Sequence, residues 1–112
     1  MKIVFTTKGI DWTSMMDPRL GRAEYLLVYN EETEELSHFD NRDIANTAHG
    51  AGPQTVKHIL DFNADVLITG NGPGGNASTV LQKTDIKVFI GAGDMTIQEA
   101  YEAYKNNTLK AF

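Results

Sequence analysis

The sequence predicts a single α/β domain built on a five-stranded mixed sheet with three helices. The chain has 112 residues, of which 41% are hydrophobic and 22% charged, a composition typical of a globular domain with one core. Short apolar and β-branched runs of strand length recur along it, and helical apolar spacing appears between the later ones. We therefore expect residues 1–112 to form one domain with the element order β-β-β-α-β-α-β-α.

The first part of the chain predicts three strands. Residues Ile3–Thr7 are apolar or β-branched throughout, which is typical of a buried strand. Tyr25–Tyr29 and Leu36–Phe39 are the next two strand candidates, and the acidic turn between them is short enough for a hairpin. Because a hairpin reverses the chain, these two strands are expected to run antiparallel.

The next segments predict a loop and a helix. Residues Arg42–Gly52 are rich in Asn, Gly and Ala and are expected to form a loop. Pro53 is suited to the first position of a helix because its missing N–H is not needed there. Val56 and Ile59 then fall on one helical face and are expected to face the core.

The last third predicts two strands and two helices. Asp65–Thr69 is the fourth strand and Lys87–Ile90 the fifth, with a short helix bearing Ala77 and Leu81 between them. Thr96-Ile97-Gln98-Glu99 has the spacing of a capping box, which predicts the start of the third helix.

Connectivity predicts the strand order and the location of a binding site. Helical crossovers keep strands four and five parallel, and placing strand four beside strand one gives the order 3-2-1-4-5. The long loops and the N-termini of all three helices then emerge at one edge of the sheet. Open α/β sheets bind ligands at this edge, and helix N-termini favour anions. The topology therefore predicts an anion site there.

The segment TGNGPGGNA, residues 69–77, supplies one loop of this edge. Gly70, Gly72 and Gly75 have the spacing of a dinucleotide fingerprint. A single βαβ unit and the missing N–H of Pro73 argue against a dinucleotide site. Two interpretations remain: an anion-binding loop, or a glycine-rich turn that serves the fold alone. A nucleotide- or phosphate-binding module that uses Gly70–Gly75 is the alternative function.

Two other segments at this edge carry side chains that suit an anion. His49, followed by Gly50, could donate to an anionic ligand or coordinate a soft metal, and packing or capping is its structural alternative. Arg19 and Arg22 flank Gly21, from where their guanidinium groups could reach a ligand. A surface salt bridge is the structural alternative for the arginines.

The connection after the first strand is unusually apolar, since it contains Trp12, Met15 and Met16. It predicts a lid over a ligand, packing onto the helix layer, or docking of a second subunit or partner.

The composition also argues against several classes of function. A net charge of −5 disfavours nucleic-acid binding, and the absence of cysteine excludes disulfides and thiolate metal ligands. No apolar run reaches the length of a membrane span and no signal-peptide pattern is present, so a cytoplasmic location without membrane attachment is expected. The sequence contains no nucleophile elbow, no Ser-His-Asp context and no HExxH, so we do not expect an enzyme.

Five segments taken together resemble the dinitrogenase iron–molybdenum cofactor biosynthesis family, which includes NifX-like, NifB C-terminal-like and orange-protein-like members. These segments, which span nearly the whole chain, are MKIVFTT at residues 1–7, Arg19–Ala23, Asn46 with His49–Gly52, TGNGPGGNA at residues 69–77, and Thr96–Ala100 with Leu109. The resemblance implies a ribonuclease-H-like three-layer fold.

The resemblance also implies a function. Family members bind or carry the iron–molybdenum cofactor or its precursors, and the orange protein holds an anionic molybdenum–copper sulfide cluster noncovalently. For this chain, the resemblance implies a noncatalytic carrier or scaffold that exchanges a metallocluster with donor and acceptor proteins. His49 becomes the candidate metal ligand. The implied cluster contacts are Arg19, Gly21, Arg22, His49, Gly50, Gly70, Asn71, Gly72, Gly74 and Gly75.

Overall fold

A mixed sheet of six strands runs through the computed structural model, which describes residues 1–112. The strands are β1 Lys2–Thr7, β2 Tyr25–Asn30, β3 Glu35–Asp40, β4 Val66–Ile68, β5 Lys87–Ile90 and β6 Lys110–Ala111. Their order is β3-β2-β1-β4-β5-β6; β1, β4 and β5 run parallel to one another, and β2 pairs antiparallel with both β1 and β3. The predicted order of the first five strands and the β2–β3 hairpin are confirmed.

The helices are α1 Arg42–Ala45, α2 Ala51–Asp61, α3 Gly75–Leu81 and α4 Ile97–Lys105. The N-cap of α2 is Gly50, whose φ of 77° is a left-handed conformation that glycine adopts without steric cost. The helix therefore begins two residues before Pro53, the predicted start. The predicted capping box of α4 is present, because Thr96 and Glu99 each accept a hydrogen bond from the other's backbone N–H.

The prediction of five strands and three helices was wrong. Helix α1 lies within residues 42–52, which were expected to form a loop, and β6 adds an antiparallel strand beside β5. These elements have four and two residues, too few for a hydrophobic period to appear in the sequence. Strand β6 forms because the edge of β5 offers unpaired backbone groups. The ribonuclease-H likeness stays a prediction.

Helices cover both faces of the sheet, which makes the domain three layers thick. Successive residues of a strand point to opposite faces, so Phe5 packs toward α4 and Val4 toward α2 and α3. Ile97 and Ala100 of α4 complete the first core cluster. The second is completed by residues of α2 and α3, namely Val56, Ile59, Ala77 and Leu81. None of the helices combines the length and the apolar character that crossing a bilayer requires.

Candidate anion-binding cleft

A solvent-open cleft of about 480 Å³ lies at the carboxyl edge of the sheet, between the starts of α2 and α3. Three segments line it: residues 19–22, 48–53 and 71–77 without Pro73. The structure thus brings together most of the predicted site residues, namely Arg19, Gly21, Arg22, His49, Gly50, Asn71, Gly72, Gly74 and Gly75. Their role in binding stays a prediction.

Gly70 lies outside the cleft lining and has a packing role. A Cβ atom added to it would lie 2.5 Å from Pro18 Cα and 2.8 Å from Gly93 Cα, so only glycine lets these backbones cross. The N–H of Asn71 then donates to the Pro18 carbonyl at 2.7 Å. This crossing fixes the point from which the glycine-rich loop enters the cleft.

The first turn of α2 is packed between the two other segments of the cleft. A Cβ on Gly21 would lie 2.6 Å from Gly52 N, and a Cβ on Gly52 would lie 3.3 Å from the Cβ of Ala77. Gly21 is therefore required by the approach of α2, and the three segments form one continuous wall.

Gly74 and Gly75 differ from these packed glycines. No atom lies within 4 Å of the position that a Cβ would take at either residue, and neither has a positive φ. Both residues line the cleft. Neither the backbone conformation nor the packing requires glycine there, so the missing side chains leave the peptide N–H groups open to a ligand in the cleft.

Backbone donors without acceptors face this region from two helix starts. In α2 the first N–H group with a backbone acceptor is that of Gln54, so those of Ala51 and Gly52 are unpaired. The corresponding first donor in α3 is Ser78, which bonds the Gly74 carbonyl at 2.8 Å. The eleven-residue α2 also presents the positive end of its dipole to the cleft.

The charge of the cleft is opposite in sign to that of the protein. The net charge of the chain is −5, yet the cleft lining contains Arg19, Arg22 and His49 and no carboxylate. Because solvent screens exposed charges beyond about 10 Å, these groups outweigh the acidic residues that lie farther away for a ligand in the cleft. Asp17, which pairs with Arg19, is a carboxylate beside the lining.

The arginines are held in different ways. Asp17, with a side chain 1% exposed, accepts hydrogen bonds from Arg19 N at 2.9 Å and Nε at 3.4 Å, while the Arg19 side chain is 61% exposed. This ion pair is the structural alternative considered for Arg19, and it leaves both terminal nitrogens without a protein partner. Arg22 Nη1 donates to the Ala45 and Thr47 carbonyls, both at 2.6 Å. The sequence carried no signal for this contact, because α1 itself was not predicted.

His49 is exposed and makes no hydrogen bond, so both ring nitrogens are available to a ligand. It is the only residue of the cleft lining whose side chain is a common metal ligand. No three histidine or carboxylate side chains are grouped closely enough to hold a metal ion. The cleft therefore suits an anion contacted from several sides better than a bare cation.

Two features of the predicted edge lie elsewhere. Trp12 packs with ring centroids 5.0 Å from Tyr29 and 5.7 Å from Tyr101, and Met16 is buried in the core that faces α4. The apolar connection thus packs onto the helix layer, the second of its three predicted roles, and does not cover the cleft. The N-terminus of α4 belongs to this opposite layer, so only two helix starts border the cleft.

Comparison with protein families gives one match, over residues 1–107, to the family described as dinitrogenase iron-molybdenum cofactor. This confirms the resemblance inferred from the sequence motifs. No functionally curated protein matches the chain.

Two solved structures are similar over almost the full length. The apo form of the orange protein from Desulfovibrio gigas is 28% identical, with a TM-score of 0.92 over 99% of this chain and 92% of that protein. A putative NifB protein from Thermotoga, solved by NMR, is 31% identical, with a TM-score of 0.83 over 98% of this chain and 91% of that one. The single α/β fold with its mixed sheet is therefore shared with proteins of this group.

Proposed function

Because the chain belongs to the dinitrogenase iron-molybdenum cofactor family, we propose that it is a noncatalytic protein that binds and carries an anionic metal–sulfur cluster in the cleft. The cargo would be the iron–molybdenum cofactor or a cluster resembling one of its precursors. The observation that carries the proposal is the pair Gly74 and Gly75, which the fold does not need as glycines and which leave backbone N–H groups uncovered in a cleft without carboxylates.

The donors of the cleft suit the outer atoms of such a cluster. Sulfide atoms at its surface are negatively charged and accept hydrogen bonds from N–H groups, which the first turns of α2 and α3 supply. Arg19 and Arg22 add guanidinium groups, which are weakly hydrated and give up their water readily on binding. His49 would donate a hydrogen bond or ligate one metal atom. Gly70 would support the loop and stay outside the contact.

The protein provides few direct metal ligands, and this suits a carrier. The chain has no cysteine and no grouped set of histidine and carboxylate side chains. A cluster held by hydrogen bonds and charge can leave without several metal–ligand bonds being broken, and the cleft is open to solvent. Residues 1–112 would act as one domain that receives a cluster from a donor protein and passes it to an acceptor in the cytoplasm.

Anaerobic equilibrium dialysis with tetrathiomolybdate, a compact molybdenum–sulfide anion, tests the proposal. We expect the wild-type protein to retain molybdenum and Gly75→Ala to lose about tenfold or more in affinity, since a methyl group would stand between the ligand and the peptide N–H. Gly75→Ala should fold at least as stably as the wild type, because alanine is the better helix former. Arg19→Gln and His49→Gln should also weaken retention.

Ser78→Thr is the matched control, because it adds one methyl group to the same helix outside the cleft. It should bind as the wild type does. Absence of molybdenum from the wild-type protein, or equal retention by Gly75→Ala, would refute the proposal. Retention of ATP or phosphate in place of tetrathiomolybdate would support the alternative of a nucleotide- or phosphate-binding module.

A further inference from the structure

The connection between α1 and α2 forms one wall of the cleft and is tied to the rest of the protein by Arg22. We propose that this tie, and not only the positive charge of Arg22, sets the affinity of the cleft for its anion. Arg22 is then a positioning residue for His49, as well as a donor to the ligand. The inference rests on the proposed function of the cleft.

Helix α1 cannot hold this connection in place on its own. It has four residues and none of them is buried, and the last carbonyls of a helix have no partners within it. The Ala45 and Thr47 carbonyls instead accept hydrogen bonds from Arg22 Nη1, both at 2.6 Å. The side chain of Thr47, two residues after the end of α1, donates only to the Ile44 carbonyl of that helix.

Beyond Thr47 the connection has little support of its own. Ala48 and His49 make no hydrogen bonds, and Gly50 accepts one from Gln54 inside α2. Arg22 thus provides the hydrogen bonds that join residues 45–49 to another segment. The first turn of α2 is fixed by its packing on Gly21, but His49 lies before it, so the position of these residues decides where His49 lies relative to a ligand.

The shape of the guanidinium group explains why arginine occupies this position. It carries five N–H donors in one plane, of which the two on Nη1 are used by the two carbonyls. The donors on Nε and Nη2 remain for an anion, and Arg22 lines the cleft. A lysine ammonium has the same charge but cannot bridge two carbonyls in a fixed plane while it also faces a ligand.

Two charge-conserving variants test the inference, Arg22→Lys and its control Lys57→Arg, which exchanges the same two cations outside the cleft. Lys57 is exposed on α2 and lies outside the cleft lining. In Arg22→Lys we expect tetrathiomolybdate affinity to fall about tenfold or more. In the protein without ligand, amide hydrogen exchange of Ala45, Asn46 and Thr47, whose N–H groups donate to backbone carbonyls, should also become faster. In Lys57→Arg the affinity should stay within about threefold of the wild type and the exchange should not change, because the charge is kept and the side chain is exposed outside the cleft.

The two readouts separate this inference from the proposed function. If the wild-type protein retains no tetrathiomolybdate, the proposed function fails, and the inference about affinity fails with it. If the wild type binds and Arg22→Lys binds equally well, or exchanges at the wild-type rate, the tie does not control the cleft and the inference alone is overturned. Should Arg22→Lys not fold, Arg22→Gln is compared with Arg19→Gln, which removes the same charge from the cleft lining. A larger loss of affinity and faster exchange in Arg22→Gln would support the inference, and equal losses would overturn it.

Discussion

At the scale of single residues, the cleft is defined as much by missing side chains as by those present. Five glycines lie in the TGNGPGGNA loop and the Arg19–Arg22 segment. They look alike in the sequence, but their surroundings in the structure differ. Gly70 and Gly21 are required by backbones that approach within 3 Å of where a Cβ would lie, whereas Gly74 and Gly75 face open space. The sequence predicted where the glycines gather. It could not separate the two kinds, because the crossing segments are distant along the chain.

Asn71 offers a direct test of the charge of the cleft. Asn71→Asp would place a carboxylate in a lining that has none, with nearly unchanged side-chain volume. A like charge about 4 Å from a bound anion costs about 4 kcal/mol at an effective dielectric constant of about 20. We therefore expect tetrathiomolybdate affinity to fall at least about tenfold, as measured by equilibrium dialysis.

Gln82→Glu is the control for Asn71→Asp, since it adds the same charge at the end of α3 outside the cleft. It should change the affinity by less than about threefold, because the charge is exposed and screened. Equal losses in both variants would show that net charge, and not the local charge of the cleft, controls binding.

At the scale of secondary structure elements, the sequence predicted best where local signals and length agree. The capping box of α4 needs only Thr96 and Glu99, which are three residues apart, so it was predictable and is present. Helix α1 and strand β6 depend on distant groups, namely Arg22 for the carbonyls that end α1 and the edge of β5 for β6. No local pattern encodes such partners, and both elements were missed.

The capping box predicts a loss of stability that leaves the cleft unaffected. Thr96→Ala removes the acceptor of the Glu99 N–H, and loss of an N-cap costs about 1 kcal/mol in the free energy of unfolding. Urea denaturation should show this loss, while tetrathiomolybdate affinity should not change because α4 lies on the opposite face. Gln98→Ala, an exposed change in the same turn, should stay within about 0.5 kcal/mol of the wild type.

The contribution of Glu99 to this cap depends on pH. Two hydrogen bonds lower the pKa of the Glu99 carboxyl. The larger effect comes from the backbone N–H of Thr96 and the smaller from the Thr96 side chain. A carboxyl whose pKa is lower in the folded state stabilises the fold above its unfolded pKa, and this stabilisation is lost as pH falls through the folded pKa. The stability difference between the wild type and Glu99→Gln should therefore shrink on acidification. A difference that grows in acid would contradict this account of the cap.

At the scale of the whole molecule, one sheet separates two layers with different roles. The cleft lies in the layer of α2 and α3, and an aromatic cluster that includes Phe5, Trp12 and Tyr101 lies in the layer of α4. Adjacent residues of β1 belong to both layers, since Val4 faces one and Phe5 the other. The two layers therefore share the same central strands, and we expect them to unfold together.

Ile59→Ala tests this coupling without any ligand. Ile59 is fully buried in α2, and truncation of a buried isoleucine to alanine costs about 2–5 kcal/mol in the free energy of unfolding. Trp12, the only tryptophan of the chain, lies in the opposite layer and reports unfolding there by its fluorescence. In urea, the unfolding transitions followed by Trp12 fluorescence and by far-ultraviolet circular dichroism should shift together to lower denaturant concentration, because a two-state domain loses both layers in one transition.

Lys57→Ala, an exposed change in the same helix, should leave both curves within about 0.5 kcal/mol of the wild type. If the fluorescence transition stays in place while the circular dichroism transition moves, the cleft layer unfolds independently of the other layer. In that case α2 and α3 could open around a ligand while the sheet and α4 remain folded.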